Sequence, residues 1–209
     1  MNKPGPRSFT RIVGLTGGMG AGKSEVLRIL AGMGAAVLQA DQVGHGLLKE
    51  RRFSKVLAAK FGKGILDARG LVDRKKLGSI VFKSAGKRKA LNQLLHPVIR
   101  QKVKRWAAER QKSGRRPPFL AVVEIPLLFE GKGYPYLEGV LSVSASSAAR
   151  HRRLLGRGWN QSDISRREKG QWAQARKDKR AHWVIRNNGS LRELKRKVKL
   201  WLKKIDKKT

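Results

Sequence analysis

The sequence predicts an α/β fold on a parallel central sheet, and three observations carry that expectation. A short apolar run, Ile12 to Leu15, leads straight into a cluster of glycines. A helix-patterned stretch follows, and a second buried apolar run, Ala35 to Leu38, comes soon after it. Strand, helix and strand within about 30 residues form a βαβ unit, whose crossover makes the two strands parallel. With 209 residues, 40% of them hydrophobic, the chain holds enough apolar side chains for one domain with a real core, and too many for a disordered polymer.

Taken in order, residues 10–15 (TRIVGL) form a compact buried strand bounded by glycine. Ser24 to Met33 is a helix, with Val26, Leu27, Ile29 and Leu30 at near-helical spacing, and 35–38 is the second strand. From Val43 to Gly114 the pattern is helical and heavily charged, without a convincing strand. The turn-rich KSGRRPP at 112–118 returns the chain to the sheet, where 119–129 (FLAVVEIPLLF) and 139–145 (GVLSVSA) are apolar enough to be central strands. A second charged helical stretch runs from Ser146 to Arg180. Trp183 to Ile185 is a short strand before the turn Asn187-Asn188-Gly189, and 191–205 closes the domain as an amphipathic helix. Leu191, Leu194, Val198, Trp201, Leu202 and Ile205 share its apolar face.

Composition removes several function classes. There is no cysteine, so disulfide scaffolds, thiolate metal sites and cysteine nucleophiles are excluded. The four histidines, His45, His96, His151 and His182, are too scattered for a zinc cluster. No apolar run approaches the roughly 7–15 residues of a secretory signal or the roughly 20 of a membrane span, so a soluble cytoplasmic protein is expected. A formal net charge of +35 attracts polyanions of any kind, nucleotides and RNA among them.

The sharpest motif is Gly17-Gly18-Met19-Gly20-Ala21-Gly22-Lys23-Ser24, which fits G-x-x-x-x-G-K-[ST] between a strand and a helix. Glycine lets successive backbone N–H groups turn inward around phosphate oxygens, and the helix N-terminus adds partial positive charge. Gly17, Gly18, Gly20, Ala21 and Gly22 supply that backbone, with Glu25 at the far end of the same stretch. Lys23 reaches the β- and γ-phosphates and the Ser24 hydroxyl binds Mg2+, so ATP and Mg2+ are expected. A guanine-reading N-K-x-D is missing, which argues against a GTPase. A short chain with two helical excursions has the layout of a small-molecule kinase: a three-layer P-loop kinase fold with a helical acceptor lobe and a helical lid. The expected organisation is a single domain over 1–209. Its core takes about 10–41, 118–145 and 182–205, the acceptor lobe about 42–114 and the lid about 146–181.

LTGGMGAGKS, VLQADQVGH, GLVDRKKLGSIVF, LNQLLHPVIR and EIPLLFE, in that order, resemble the dephospho-coenzyme A kinase family. RRLLGRG, REKGQ and WVIRNNGSLREL resemble its lid and final strand–helix, so the match covers roughly 12–202. The resemblance implies transfer of the ATP γ-phosphate to the ribose 3′-hydroxyl of dephospho-CoA. It makes Asp41 the base that takes the hydroxyl proton, just past the second strand, where open α/β sheets bind ligands; an Asp there would otherwise cap the next helix. His45, one turn further on, faces the same cleft for ligand contact or ordinary packing, and Arg74 and His96 match acceptor-lobe positions. Glu124 ends a buried apolar run, where an unpaired carboxylate is costly, so it either steadies the Mg2+ shell through water or is neutralised by a lysine. Arg153 and Arg157, one turn apart on the lid helix, clamp the ATP phosphates. The chain departs from the family in reading Gln39-Ala40-Asp41 where Asp-Ala-Asp is usual, in Glu25 after the loop serine, and in His182 and Arg186 near positions that are often acidic. Two other readings stay open: a related P-loop kinase for another nucleoside-like alcohol, and a basic RNA-associated P-loop NTPase.

Two anionic substrates leave most of the positive charge unused. Residues 150–180 carry eleven Lys and Arg against three acids, yet no nucleic-acid motif is present and the aromatics do not interleave with the basic runs. Any RNA association is expected to be non-specific, and nothing in the sequence indicates an oligomeric state.

Overall fold

Strand β1 (Arg11–Thr16) lies at the middle of a five-stranded sheet in a computed structural model that describes residues 10–112, 119–131 and 133–206. The others are β2 (Ala36–Gln39), β3 (Leu120–Glu124), β4 (Gly139–Ser144) and β5 (Trp183–Arg186), in the order β2-β3-β1-β4-β5. β1 pairs in parallel with β3 and β4, and β4 with β5. β3 and β4 are buried along their whole length, which is why they read as apolar runs and not as alternations. The segment expected to lead back to the sheet lies at 113–118, outside the described residues.

The sheet divides its side chains between two layers of helix. Val13 and Leu15 of β1, Leu120 and Val122 of β3, and Leu141 and Val143 of β4 pack against α1 (Lys23–Ala31) and α9 (Leu191–Asp206). On the other face Gly14 lies under Leu128 and Leu137, so close that a Cβ there would come within 2.7 Å of Leu128. Helix α8 (Gln174–Arg180) docks beside them through Asp178, which accepts from the buried Ser142 hydroxyl at 2.6 Å. Its fully buried Lys177 donates to the Pro126 carbonyl at 2.9 Å and pairs with Glu130 at 3.0 Å. Helices α6 (Ser147–Leu155) and α7 (Gln161–Glu168) complete the stretch expected as the lid.

Two elements stop short of expectation. β3 ends at Glu124 and does not run on to 129, because Pro126 has no N–H for a ladder and its carbonyl is taken by Thr16 and Lys177. α6 ends at Leu155, and Gly156 caps it. Arg157 therefore sits in the following turn, ahead of left-handed Gly158 (φ 80°), and not on the helix with Arg153.

The chain divides into two compact units, one up to Leu38 and from Ala107 onward, the other Gln39–Trp106. The second holds α2 (Ala40–Leu47), α3 (Arg51–Phe61), α4 (Arg74–Phe82) and most of α5 (Ala85–Lys112). It has its own core of Leu47, Phe53, Leu57, Ile65, Leu77 and Val81. Asp73 caps α4 by accepting from the Lys75 and Lys76 amides at 2.8 and 3.2 Å, the usual use of an Asp ahead of a helix. Among the described residues no helix is long and apolar enough to cross a membrane.

Candidate active site

The glycine loop leaves β1 with three residues in left-handed backbone: Gly17 at φ 143°, Gly20 at 70° and Gly22 at 100°. A side chain would be strained at each, and each also lacks room for one. A Cβ on Gly17 would meet the Val143 carbonyl, on Gly20 the Arg150 carbonyl, and on Gly22 the Asn187 side chain. Gly22 is the N-cap of α1 and offers no side-chain cap, so the first-turn amides of α1 remain aimed along the axis where an anion is stabilised. The Lys23 ammonium donates to the Gly17 and Gly18 carbonyls at 2.9 and 3.0 Å, which holds its charge at the mouth of the loop. Ser24 is exposed in the first turn of α1. Glu25 turns its carboxylate to Arg28 at 2.6 Å, leaving its backbone amide as the group that can face a phosphate.

Side chains from far along the chain hold this loop. Arg153 donates to the Asn187 carbonyl at 2.8 Å and the Gly20 carbonyl at 3.2 Å. Burial, and then the charges of Arg152 and Arg157, pull its guanidinium below the ordinary arginine value. Arg157 itself is exposed. Arg150 reaches the Met19 carbonyl and bonds Glu168, which also accepts from His151 at 3.1 Å. Burial pushes the Glu168 carboxyl up, but His151 and Arg150 outweigh it and hold the group below the usual carboxylate value. Asn187 donates to the Ala21 carbonyl at 2.9 Å, and its own amide is fixed on the Ser144 carbonyl at 2.7 Å. The Gln174 side-chain carbonyl accepts the Gly18 N–H at 2.7 Å. Arg150, Gln174 and Asn187 were not singled out by sequence reasoning. Only Asn187 falls in a segment resembling the family, while Arg150 and Gln174 lie beside RRLLGRG and REKGQ within the stretch expected as the lid.

Glu124 is buried at the end of β3, in register with Leu15 one residue before the loop's approach. Among the described residues no group of three or more His, Cys, Asp or Glu could hold a metal ion. A divalent cation here would take most of its shell from phosphate oxygens and water, with the Ser24 hydroxyl as protein ligand. That donor set suits Mg2+.

In the second unit, α2 carries Asp41 and His45 one turn apart. Its N-cap is Gln39, which makes no side-chain cap bond, so Asp41 is exposed in the first turn and is not the cap. Arg74, the first residue of α4, donates to His45 Nε2 at 3.0 Å. Both line a cavity of about 710 Å3 whose other walls include Leu48, Leu77, Val81 and Leu91. His96 lies on α5 just before Pro97 and does not line it.

A parallel sheet that delivers a glycine loop to a helix N-terminus, with lysine and serine in the first turn and arginines over the loop, defines a P-loop kinase. The chain matches the Dephospho-CoA kinase family over residues 11–193 and belongs to it. A dephospho-CoA kinase of Geobacillus kaustophilus is 38% identical over 201 residues, 95% of this chain and 98% of that protein. A Thermus thermophilus crystal structure superposes with a TM-score of 0.77 at 32% identity, over 94% of this chain and 98% of that one. The dephospho-CoA kinase of Campylobacter jejuni gives 0.71 at 26%, over 94% and 97%. The activity is ATP-dependent phosphorylation of dephospho-CoA, the last step of CoA biosynthesis, with Mg2+ accompanying the ATP.

Proposed function

We propose that this activity is divided between the two units, with the glycine loop binding ATP and the Gln39–Trp106 unit supplying base and acceptor contacts. The loop geometry carries the first half: left-handed glycines, an uncapped helix N-terminus and the Lys23 ammonium at its mouth. Lys23 and Arg153 meet the negative charge of the triphosphate, and Ser24 would hold Mg2+, which would supply charge neutralisation there, with Glu124 hydrogen-bonding to water around it. Asp41 takes the proton of the 3′-hydroxyl as the new O–P bond forms and the bond to the β-phosphate oxygen breaks, leaving ADP. Its exposed, uncapping carboxylate supports that role. The cavity beside His45 and Arg74 is apolar with one cationic edge, which suits an acceptor that is partly apolar and partly anionic.

The test is Asp41→Asn, which keeps shape and loses the proton acceptor. We expect kcat for dephospho-CoA to fall by roughly 10²–10⁴, while ATP binding measured by calorimetry stays within a factor of two. An unchanged kcat would remove Asp41 from the chemistry. The protein is read as cytoplasmic, and the +35 charge as giving only weak RNA binding that falls steeply with salt.

A further inference from the structure

Gly17 and Gly18 flank one peptide unit, and no Cβ on either side resists its rotation. Its carbonyl, that of Gly17, accepts from Lys23 Nζ at 2.9 Å, and its N–H, that of Gly18, donates to Gln174 Oε1 at 2.7 Å. A peptide unit is planar, so holding the N–H sets the direction of one of the two carbonyls that anchor the lysine, the other being that of Gly18 at 3.0 Å. Gln174 is itself fixed: its Nε2 donates to Ser142 Oγ at 3.1 Å and to Asp178 Oδ1 at 2.7 Å. Ser142 is fully buried in β4 and gives its own hydroxyl proton to Asp178. The docking of α8 does not need the bond to Gly18. Ser142–Asp178 and the buried Lys177, bonded to Pro126 and Glu130, already secure it.

We infer that Gln174 is a positioning residue for ATP: its carboxamide prevents the Gly17–Gly18 peptide from flipping and so keeps Lys23 at the mouth of the loop. A carboxamide suits this use because it accepts from the loop and donates to the α8–β4 pair with one planar group. A hydrocarbon of the same length would lose these bonds and leave the glycine peptide loose, while Ser142–Asp178 and Lys177 would still dock α8. The inference rests on the reading of the loop as the ATP site.

The experiment compares wild type, Gln174→Met, Gln174→Glu and Lys23→Ala. Three quantities are measured on each: amide hydrogen exchange of the loop in the nucleotide-free protein, equilibrium ATP binding, and KM for each substrate with kcat. Gln174→Met should speed exchange in the loop and raise the ATP Kd and KM by about tenfold, the effect of one hydrogen bond. The KM for dephospho-CoA should not move. Gln174→Glu keeps an acceptor for the Gly18 N–H but turns its other oxygen on the Asp178 carboxylate, so loop exchange should fall between wild type and Gln174→Met even where the charge weakens ATP binding. The proposal is overturned if Gln174→Met exchanges and binds ATP like wild type while Lys23→Ala loses binding. It is equally overturned if the Met variant loses thermal stability and affinity for both substrates together, the mark of a purely structural residue. If Lys23→Ala binds ATP as wild type does, the fault lies with the loop's assignment.

Discussion

The glycine loop and the Gln39–Trp106 unit hold their functional residues by different means. In the loop, four consecutive residues each meet a side chain from more than 120 positions later: Gly18 meets Gln174, Met19 meets Arg150, Gly20 meets Arg153, and Ala21 meets Asn187. In the other unit Asp41 stands exposed in the first turn of a helix, and His45 touches Arg74 above an apolar wall. One region is held by directed hydrogen bonds to backbone, where a tilt of one peptide shifts several donors together. The other is shaped by the burial of Leu47, Leu57, Leu77 and their neighbours, which fixes a cavity without fixing a peptide plane. Damage to the first should appear in the use of ATP, and damage to the second in the use of the acceptor.

The largest effect is expected at the loop. Lys23→Ala removes the ammonium that bridges the Gly17 and Gly18 carbonyls, and with it the charge proposed to face the β- and γ-phosphates. Phosphoryl transfer relies on positioning and electrostatics with little covalent help from the protein, so turnover should drop by more than about 10³ and ATP binding should weaken. Dephospho-CoA binding, followed by calorimetry without ATP, should be close to wild type. A parallel loss of acceptor binding would break the division drawn here.

The converse test is Arg74→Ala. It takes one exposed cation from the rim of the cavity proposed for the acceptor and leaves His45 without its donor. A charge-assisted contact to an anionic ligand gives an expected rise in the dephospho-CoA KM of about tenfold or more. The ATP Kd should be unmoved. If the ATP Kd shifts instead, Arg74 serves the nucleotide and the comparison must be redrawn.

The two regions also differ in how far the sequence exposed them. The βαβ order, the glycine loop and the closing amphipathic helix were legible because each depends on local pattern: an apolar run, a fixed spacing of glycines, a period near 3.6. The strand ending at Glu124 was read five residues too long, since apolar character continues through Leu127, Leu128 and Phe129 while Pro126 ends the ladder. Arg157 was placed on a helix that Gly156 stops first. Gln174 and Arg150 carry no local signal, and Asn187 reads locally only as part of a turn. A polar side chain that caps a backbone group 130 or more positions away is visible only once the sheet has brought β1, β4 and β5 side by side.

The smallest expected effect tests the arginine side of the loop's support. Glu168 gathers Arg150 and His151 from α6 onto the end of α7, and Arg150 is the residue that reaches Met19. Its carboxyl is held below the ordinary value of 4.5, because its hydrogen bonds to His151 and Arg150 outweigh the upward push of burial. The folded state therefore binds the proton less readily than the unfolded chain, and the carboxylate stabilises the fold at pH above about 4.5. That contribution disappears as pH falls through the folded-state value. Glu168→Gln should melt about 1–3 °C below wild type at pH 6, a small gap because the pair is partly solvated. The gap should close as pH falls below 4.5 and the wild-type carboxylate takes up its proton. Loop hydrogen exchange should quicken slightly in the same variant at pH 6, since Arg150 loses its anchor. A melting gap that stays constant as the carboxylate is titrated into acid would mean that Glu168 contributes through packing and neutral hydrogen bonds, and that its charge does not hold Arg150 over the loop.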